Sequence, residues 1–326
     1  MKKSLIALAV LAASGAAMAQ SSVTVYGRVD LSVGSLKELD KGSQTKLFNG
    51  GDGGLTTSRL GFRGSEDLGG GLKANFKLEH RLNADDGTSQ DPFWKGESTV
   101  SLVGGFGEVK LGRSSTIYDE VRGVAFGSSV FDSAFTPASN GVWGSGGDYS
   151  SRFNNKITYA LPKLGGVYGG FEYALDEDAA VDANMIGAKI GCKEGPLDVA
   201  LGLQQEKGKD NDYMLIAAAY DLGAVSLSGG YNTRRGSDAN GDDNELTLGL
   251  NVPMGNVNLS FGFATSKTEI GGSTASKSSG FGVGATYALS KRTKAYGGFR
   301  SHNVKNGAGT KTADTRLFAI GLRHDF

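Results

Sequence analysis

The segment VTVYGRVDLSV at residues 23–33 alternates between apolar and polar side chains almost without interruption. Successive side chains of a β-strand point to opposite faces, so one face carries the valines and the other carries Arg28 and Asp30. A helix would spread the valines and the two charges around its circumference. The segment therefore predicts a strand with one apolar face and one polar face.

The same two-residue period returns along the whole chain. It is clearest in LKANFKLE at 72–79, LDVALGLQ at 197–204, LTLGLNV at 246–252 and VNLSFGF at 257–263. With their flanking turns such segments run about ten residues, the length of a tilted membrane-spanning strand. After residue 20 no apolar run reaches the about 20 residues that a membrane helix needs. The pattern predicts a protein that crosses a membrane with strands.

Short turns and long polar segments alternate between these strands. The long polar segments, predicted as loops, include residues 34–56, 83–95, 234–244, 266–279 and 302–314. Tight turns on one side and long loops on the other are typical of outer-membrane barrels, and the strand count is about sixteen. The expected fold is all-β, a sixteen-stranded antiparallel transmembrane β-barrel with a water-filled lumen.

The amino-terminal segment has the features of an export signal. Lys2 and Lys3 precede an apolar run at residues 5–13, and Ala17-Met18-Ala19 is a small-residue cleavage site. These features predict a Sec-type signal peptide at residues 1–19 and a single barrel domain at residues 20–326. A retained membrane anchor would need a longer apolar run.

Composition narrows the range of partners. Removing Lys2 and Lys3 from the 34 basic residues leaves 32, against 34 acidic residues. This balance argues against nucleic acid, which requires a strongly basic face. The 52 glycines suit close strand packing, tight turns and flexible loops. The single cysteine, Cys192, is interpreted as a small apolar filler on a strand.

A family resemblance rests on four blocks. SRLGFRGSEDLGGGLK at residues 58–73 resembles the strand–turn–strand signature of Gram-negative general porins, particularly those of betaproteobacteria. GFGEVKLGR at 105–113, YALSKRT at 287–293 and GLRHDF at 321–326 are similar to further blocks of that family. The likeness covers the mature chain from end to end, while the loops diverge.

This resemblance implies a sixteen-stranded homotrimer in the cell outer membrane, surrounded by its lipids. Each subunit would hold a pore for passive diffusion of ions and small hydrophilic solutes. The third long loop, residues 114–149, would fold into the barrel and narrow it. Family members often carry an Asn-Arg-Gln-like stretch at the entry to the fourth strand, where this chain has Lys95-Gly96-Glu97.

Strand alternation assigns side chains to the lumen. Leu60 and Phe62 would face lipid, which turns Arg59 and Arg63 inward. Strict alternation sends Arg113 outward, whereas the family resemblance favours it as a wall residue. The predicted basic wall is Arg28, Arg59, Arg63, Arg113, Arg152 and Lys156.

Acidic residues on the inserted loop would face this wall. The candidates are Asp119, Glu120 and Asp132. A basic wall opposite an acidic loop would create a transverse field that tunes ion selectivity. Because the wall carries more charge, we expect a weak preference for anions. Ordinary solvated lumen charges, paired away from the narrowest section, are the alternative interpretation.

The carboxyl terminus forms another alternating segment. Phe318, Ile320, Leu322 and Phe326 share one face, which His324 interrupts. A terminal phenylalanine after alternating apolar residues resembles the signal that the barrel-assembly machinery recognises. A plain closing strand that pairs with residues 23–33 is the alternative, and both interpretations can hold together.

Catalytic and metal-binding patterns are weak, and we expect no enzyme activity and no cofactor. The three histidines are far apart in sequence, and no G-x-S-x-G, H-E-x-x-H or P-loop motif occurs. Asp238, Asn240, Asp242 and Asn244 have calcium-loop spacing, but Gly249 stands where a bidentate glutamate belongs. A solvated loop is the favoured interpretation. The rival functions are a barrel lipase or protease, and a closed barrel serving as adhesin or anchor.

Overall fold

A computed structural model describes residues 22–127, 130–143, 149–177, 184–237 and 241–326. The expected signal peptide at residues 1–19 lies outside these residues. In the described part, sixteen antiparallel strands of 5 to 16 residues close into a barrel, which confirms the predicted fold. No helix of the described residues is long and apolar enough to cross a bilayer.

The barrel strands are numbered with three short strands in chain order. The sixteen are β1 (Ser22–Lys37), β3 (Arg59–Gly69), β4 (Leu72–Asn83), β6 (Glu97–Gly104), β7 (Gly107–Ser115), β9 (Lys156–Ala160), β10 (Val167–Ala174), β11 (Met185–Glu194), β12 (Leu197–Glu206), β13 (Asn211–Asp221), β14 (Ser226–Gly236), β15 (Asp242–Met254), β16 (Val257–Ile270), β17 (Ser273–Ala288), β18 (Thr293–Asn306) and β19 (Lys311–Asp325). The short strands are β2 (Gln44–Asn49), β5 (Thr88–Ser89) and β8 (Arg152–Phe153). The helices are α1 (Gly50–Gly53) and α2 (Ile117–Phe126), and single 3₁₀ turns occur at Val130–Asp132, Ala138–Asn140 and Lys207–Lys209.

Strand β1 closes the barrel. Its first half pairs with β3, and its second half pairs with β19, where Leu31 lies opposite Leu322. The terminal residue Phe326 and Gly27 exchange two backbone hydrogen bonds of 3.0 Å each. Closure pairs the edges that would otherwise remain open to other strands.

Alternation on each strand separates an apolar exterior from a polar interior. On β1, Asp30 is fully buried inside, whereas Val25 keeps 56% of its surface exposed on the outside. On β19, Ile320 and Leu322 are likewise about half exposed, at 53% and 51%. Outward apolar side chains of this kind form the lipid-facing band of a membrane barrel.

Three segments predicted as loops, residues 234–244, 266–279 and 302–314, are largely strand among their described residues. Strand β16 continues to Ile270 and β17 begins at Ser273, so residues 266–279 form a hairpin in which Lys267 pairs with Lys277. Strands β18 and β19 likewise leave only residues 307–310 between them. Beyond the apolar band both faces of a strand are polar, so the hydrophobic alternation disappears while the backbone ladder continues.

The segment between β7 and β8 packs inside the barrel. Helix α2 buries Val121 and Phe126 in a cluster with the inward-facing Leu215 and Ala217 of β13. A second buried cluster holds Phe135 against the inner side of β18 and β19. The inner segment therefore fills the side of the lumen that these later strands enclose.

Inward-facing glycines make room for this segment. A β-carbon at Gly298 would lie 2.5 Å from the ring of Phe135. A β-carbon at Gly230 would lie 2.7 Å from the β-carbon of Ala125. Part of the high glycine content thus seats the inner segment against the wall.

Candidate functional site: a cationic cavity in the lumen

A cavity of about 630 Å³ lies inside the barrel between the inner segment and the wall. Its charged lining contains seven basic residues and two acidic ones. The basic residues are Arg28, Arg59, Arg81, Lys95, Arg113, Arg122 and Arg152. The acidic residues are Asp119 and Asp132. Strands β1, β3, β4, β7 and β8 each supply one arginine to this cavity.

One carboxylate orders part of the arginine wall. Glu79 of β4 lies 3.4 Å from Arg59 Nη1 and 2.9 Å from Arg81 Nη2 through its Oε1 atom. Tyr26 donates a hydrogen bond of 3.1 Å to the other carboxylate oxygen. Arg59 also donates to Thr56 Oγ1 at 2.7 Å. Two guanidinium groups that share one carboxylate leave an excess of positive charge.

Arg113 and Arg152 contact neutral groups. Arg113 donates to the carbonyl oxygen of Lys95 at 3.2 Å and to Asn154 Oδ1 at 2.7 Å. Arg152 donates to the carbonyl oxygen of Gly96 at 3.1 Å. Neutral acceptors orient the guanidinium groups without cancelling their charge.

The backbone explains why strict alternation fails at Arg113. Leu111 is 46% exposed on the outer face, as alternation requires. Gly112 follows with φ of 113°, a conformation that favours glycine. Beyond this distortion Arg113 lines the cavity, where the family resemblance had placed it.

The three predicted loop acids have different surroundings. Asp119 Oδ1 lies 3.2 Å from Arg122 Nη1 and accepts a 2.6 Å hydrogen bond from Tyr149. Glu120 forms an ion pair with Lys189 of β11 and does not contribute to the cavity lining. Asp132 lines the cavity from a turn in which its φ is 47°.

Asp132 combines crowding with access to water. Its side chain is exposed to the lumen, yet protein surrounds it on most sides. This desolvation raises the pKa of Asp132 above its ordinary value. Arg122 opposes the rise and Asp119 adds to it.

Arg63 and Lys156 lie away from this cavity. The guanidinium carbon of Arg63 stacks 5.2 Å from the ring centroid of Tyr26. The side chain of Lys156 is 1% exposed, and its ammonium group lies 2.7 Å from Glu172 Oε2. Lys156 points inward as alternation predicted, but the inner segment covers it.

The same ion pair anchors helix α2. Glu172 Oε1 accepts a 2.9 Å hydrogen bond from the backbone amide of Ile117, the first residue of the helix. Thr116 caps the helix by accepting from the amide of Asp119 at 3.2 Å. Lys156 also donates to the carbonyl oxygen of Ser115. A buried carboxylate at a helix amino terminus interacts favourably with the helix dipole.

Three basic lining residues were absent from the predicted wall. Alternation on β4 turns Arg81 inward with Lys77, so its position was readable from the sequence. Arg122 follows Asp119 by three residues and precedes Phe126 by four, which is a helical neighbour spacing. Lys95 lies just before β6, where alternation gives no information.

Two of the four residues with calcium-loop spacing, Asp238 and Asn240, lie outside the described residues. Asp242 pairs with Arg235 at 3.2 Å, and Asn244 accepts a hydrogen bond from Tyr231 at 3.1 Å. Within the described residues no cluster of three or more His, Cys, Asp or Glu side chains could hold a metal ion.

Known proteins share this architecture and sequence. Residues 5–307 match the family described as Gram-negative porin. Outer membrane porin protein 32 of Delftia acidovorans is 38% identical, and the match covers all of both chains. The solved anion-selective porin from Comamonas acidovorans has a TM-score of 0.74 and 31% identity, over 94% of this chain and 100% of that chain. The trimer form of OmpT from Vibrio cholerae has the same fold, with a TM-score of 0.71 and 16% identity over 94% and 99% of the two chains.

These matches confirm the predicted family, the location and the general function. An alternating barrel with an apolar exterior fits a membrane span, and the lumen holds a polar cavity. The chain belongs to the Gram-negative porins, as an outer-membrane general diffusion porin.

Proposed function

We propose that this porin prefers anions and that the cationic cavity is its selectivity site. The observation that carries the proposal is the excess of seven basic over two acidic lining residues. The name of the Comamonas acidovorans relative, an anion-selective porin, supports the same conclusion. The proposed role involves no bond-making, and the solutes are ions and small hydrophilic molecules.

The mechanism follows from charge in a confined aqueous space. Rings of fixed charge in a pore attract counter-ions and repel co-ions. Low-dielectric protein walls focus the field into the lumen and raise the local concentration of the attracted ion. Arg113 and Arg152 are fixed by neutral acceptors, so their charge acts on the passing ion. The transverse field between the wall and the loop is weaker than the sequence predicts, because the charge of Arg122 offsets the charge of Asp119 on the loop side.

Reversal potential in a salt gradient tests the proposal. Purified protein is placed in a planar bilayer that separates two potassium chloride concentrations. The reversal potential should have the sign expected when chloride permeates more readily than potassium. The same sign should persist with a larger organic cation in place of potassium. A potential of the opposite sign in the unmodified protein would refute the proposed anion preference.

We also infer a homotrimer, processed by removal of residues 1–19 and inserted by the barrel-assembly machinery. The trimer form of the Vibrio cholerae protein, which shares the fold, supports the assembly. Conductance that rises in steps of three equal levels, together with the mass of the detergent complex, tests it. Single steps and a monomer mass would contradict it.

Acidification should strengthen the anion preference. Because the pKa of Asp132 is raised, this carboxyl takes up its proton at a higher pH than the ordinary value of about 4. Protonation removes one of the two acidic lining charges and leaves the seven cations. The chloride-to-potassium permeability ratio should therefore rise as the pH is lowered from neutrality, before the ordinary carboxyl range is reached.

Asp132→Asn is the control for this pH effect. It should show the higher ratio already at neutral pH and a smaller rise on acidification than the unmodified protein. An equal pH response in Asp132→Asn and in the unmodified protein would assign the effect to another group.

Deleting Phe326 should lower assembly in cells more than refolding in detergent. The terminal residue makes two backbone hydrogen bonds with Gly27, and its ring covers that glycine. Phe326→Ala keeps the backbone bonds and removes the ring. If the ring is the proposed assembly signal, Phe326→Ala should reduce the amount of folded protein in outer membranes nearly as much as the deletion does. In detergent, Phe326→Ala should refold as well as the unmodified protein. Equal losses in cells and in detergent would indicate a structural role alone.

A further inference from the structure

Arg122 is a cation on the loop side of the cavity, opposite the arginine wall. It belongs to helix α2, and it lines both the 630 Å³ cavity and an adjoining cavity of about 230 Å³. Thr56, Thr57 and Asp132 also line both cavities. Arg122 thus lies where the linings of the two cavities overlap.

Two aromatic rings and a carboxylate fix its position. The guanidinium carbon lies 4.7 Å from the ring centroid of Phe126 and 5.9 Å from that of Tyr149. Phe126 is fully buried and packs against Trp143, with ring centroids 5.0 Å apart. Stacking on aromatic faces suits the planar guanidinium group and holds it without removing its charge.

The same contacts offset part of the field of the loop acid Asp119. Asp119 is bound by both Arg122 and Tyr149 through one carboxylate oxygen. With Glu120 paired to Lys189, the loop offers the cavity less negative charge than its sequence suggests. The loop side of the cavity therefore carries one cation, Arg122, against the two acids Asp119 and Asp132, and Arg122 offsets half of their charge.

We propose that Arg122 is a specificity-determining residue that offsets the loop acids where the linings of the two cavities overlap and so preserves the anion preference on the loop side. This inference rests on the proposed anion preference. Removing the side chain takes away the one cation that faces Asp119 and Asp132 from the loop side of the described cavity lining. Neutralising Arg122 should thus lower the anion preference, because the charge of the loop side changes from one net negative unit to two.

The test compares Arg122→Gln with Arg63→Gln. Both residues are arginines stacked on an aromatic ring, but Arg63 does not contribute to the cavity lining. Arg122→Gln should lower the chloride-to-potassium permeability ratio by at least about threefold, as expected for one charge close to the ion path. Arg63→Gln should change this ratio by a clearly smaller factor.

Two further variants separate charge from structure. Arg122→Lys keeps the charge but loses the planar stack, so it should retain most of the selectivity. Asp119→Asn combined with Arg122→Gln also removes the charge of Asp119 and should recover part of the loss. If Arg122→Lys loses as much selectivity as Arg122→Gln, the residue supports the loop rather than the field, and the proposal is overturned.

The outcomes also distinguish this inference from the proposed function. An anion-preferring unmodified protein whose Arg122→Gln variant keeps the same ratio would overturn the role of Arg122 only. An unmodified protein without anion preference would overturn the proposed function itself.

Discussion

Replacing Arg113 and Arg152 together with glutamate is expected to abolish the anion preference. Two of the seven lining cations become acids, which leaves five cations facing four acids, with Glu79 behind them. A unit charge about 8 Å from an ion in water contributes about 0.5 kcal/mol, so a change of four units shifts the permeability ratio by more than about tenfold. Added salt should reduce the difference, because mobile ions screen these charges.

The measurement is the reversal potential of the double variant beside that of the unmodified protein. Neither arginine contacts a carboxylate among its described hydrogen bonds, so the exchange leaves no buried acid without its partner. Arg63→Glu is the matched control, since it reverses a lumen charge outside the cavity. A double variant that keeps the original selectivity would place the selectivity site elsewhere in the lumen.

Replacing Glu172 with glutamine is expected to loosen helix α2 inside the barrel. The amide can still accept from Ile117, but Lys156 then remains buried without its counter-charge. Breaking a buried ion pair by removing one partner costs about 3–5 kcal/mol. The barrel ladder is unaffected, so the cost falls on the local attachment of the inner segment. Single-channel recordings at fixed voltage should show larger and more frequent current fluctuations.

Two variants control for this effect. Glu269→Gln makes the same substitution in an exposed pair with Lys267, where the expected cost is about 0–1 kcal/mol. Lys156→Met combined with Glu172→Gln removes both charges and should restore much of the quiet current, because no buried charge is then left without its partner. A Glu172→Gln channel as quiet as Glu269→Gln would mean that other contacts hold the helix.

The barrel was readable from sequence because each strand carries its own signal. Alternation in residues 23–33 gives the correct face for Val25, Val29 and Asp30. The hydrophobic alternation disappears where a strand extends beyond the lipid-facing band. In residues 266–279 both faces are polar, so the strand extension could be recognised only from the backbone pairing of Lys267 with Lys277.

The candidate site was readable only in part. Alternation predicts which side chains point inward, as it did for Arg59 and Lys156. It does not predict which part of the lumen another segment fills, so it could not separate Arg59, which lines the cavity, from Lys156, which is covered. The pairing of Asp119 with Arg122 depends on the fold of the inner segment, and no strand pattern encodes it.

The glycines that face Phe135 and Ala125 have a consequence for channel width. Strand number fixes the circumference of the barrel, whereas the depth to which the inner segment sinks into the wall fixes the free bore. A single methyl group added at Gly298 would push the inner segment toward the arginines. The free bore would narrow and the conductance would fall, while every backbone pair of the barrel stayed in place. The conductance of this protein can therefore differ from that of a close relative because of small residues that lie far from any charge.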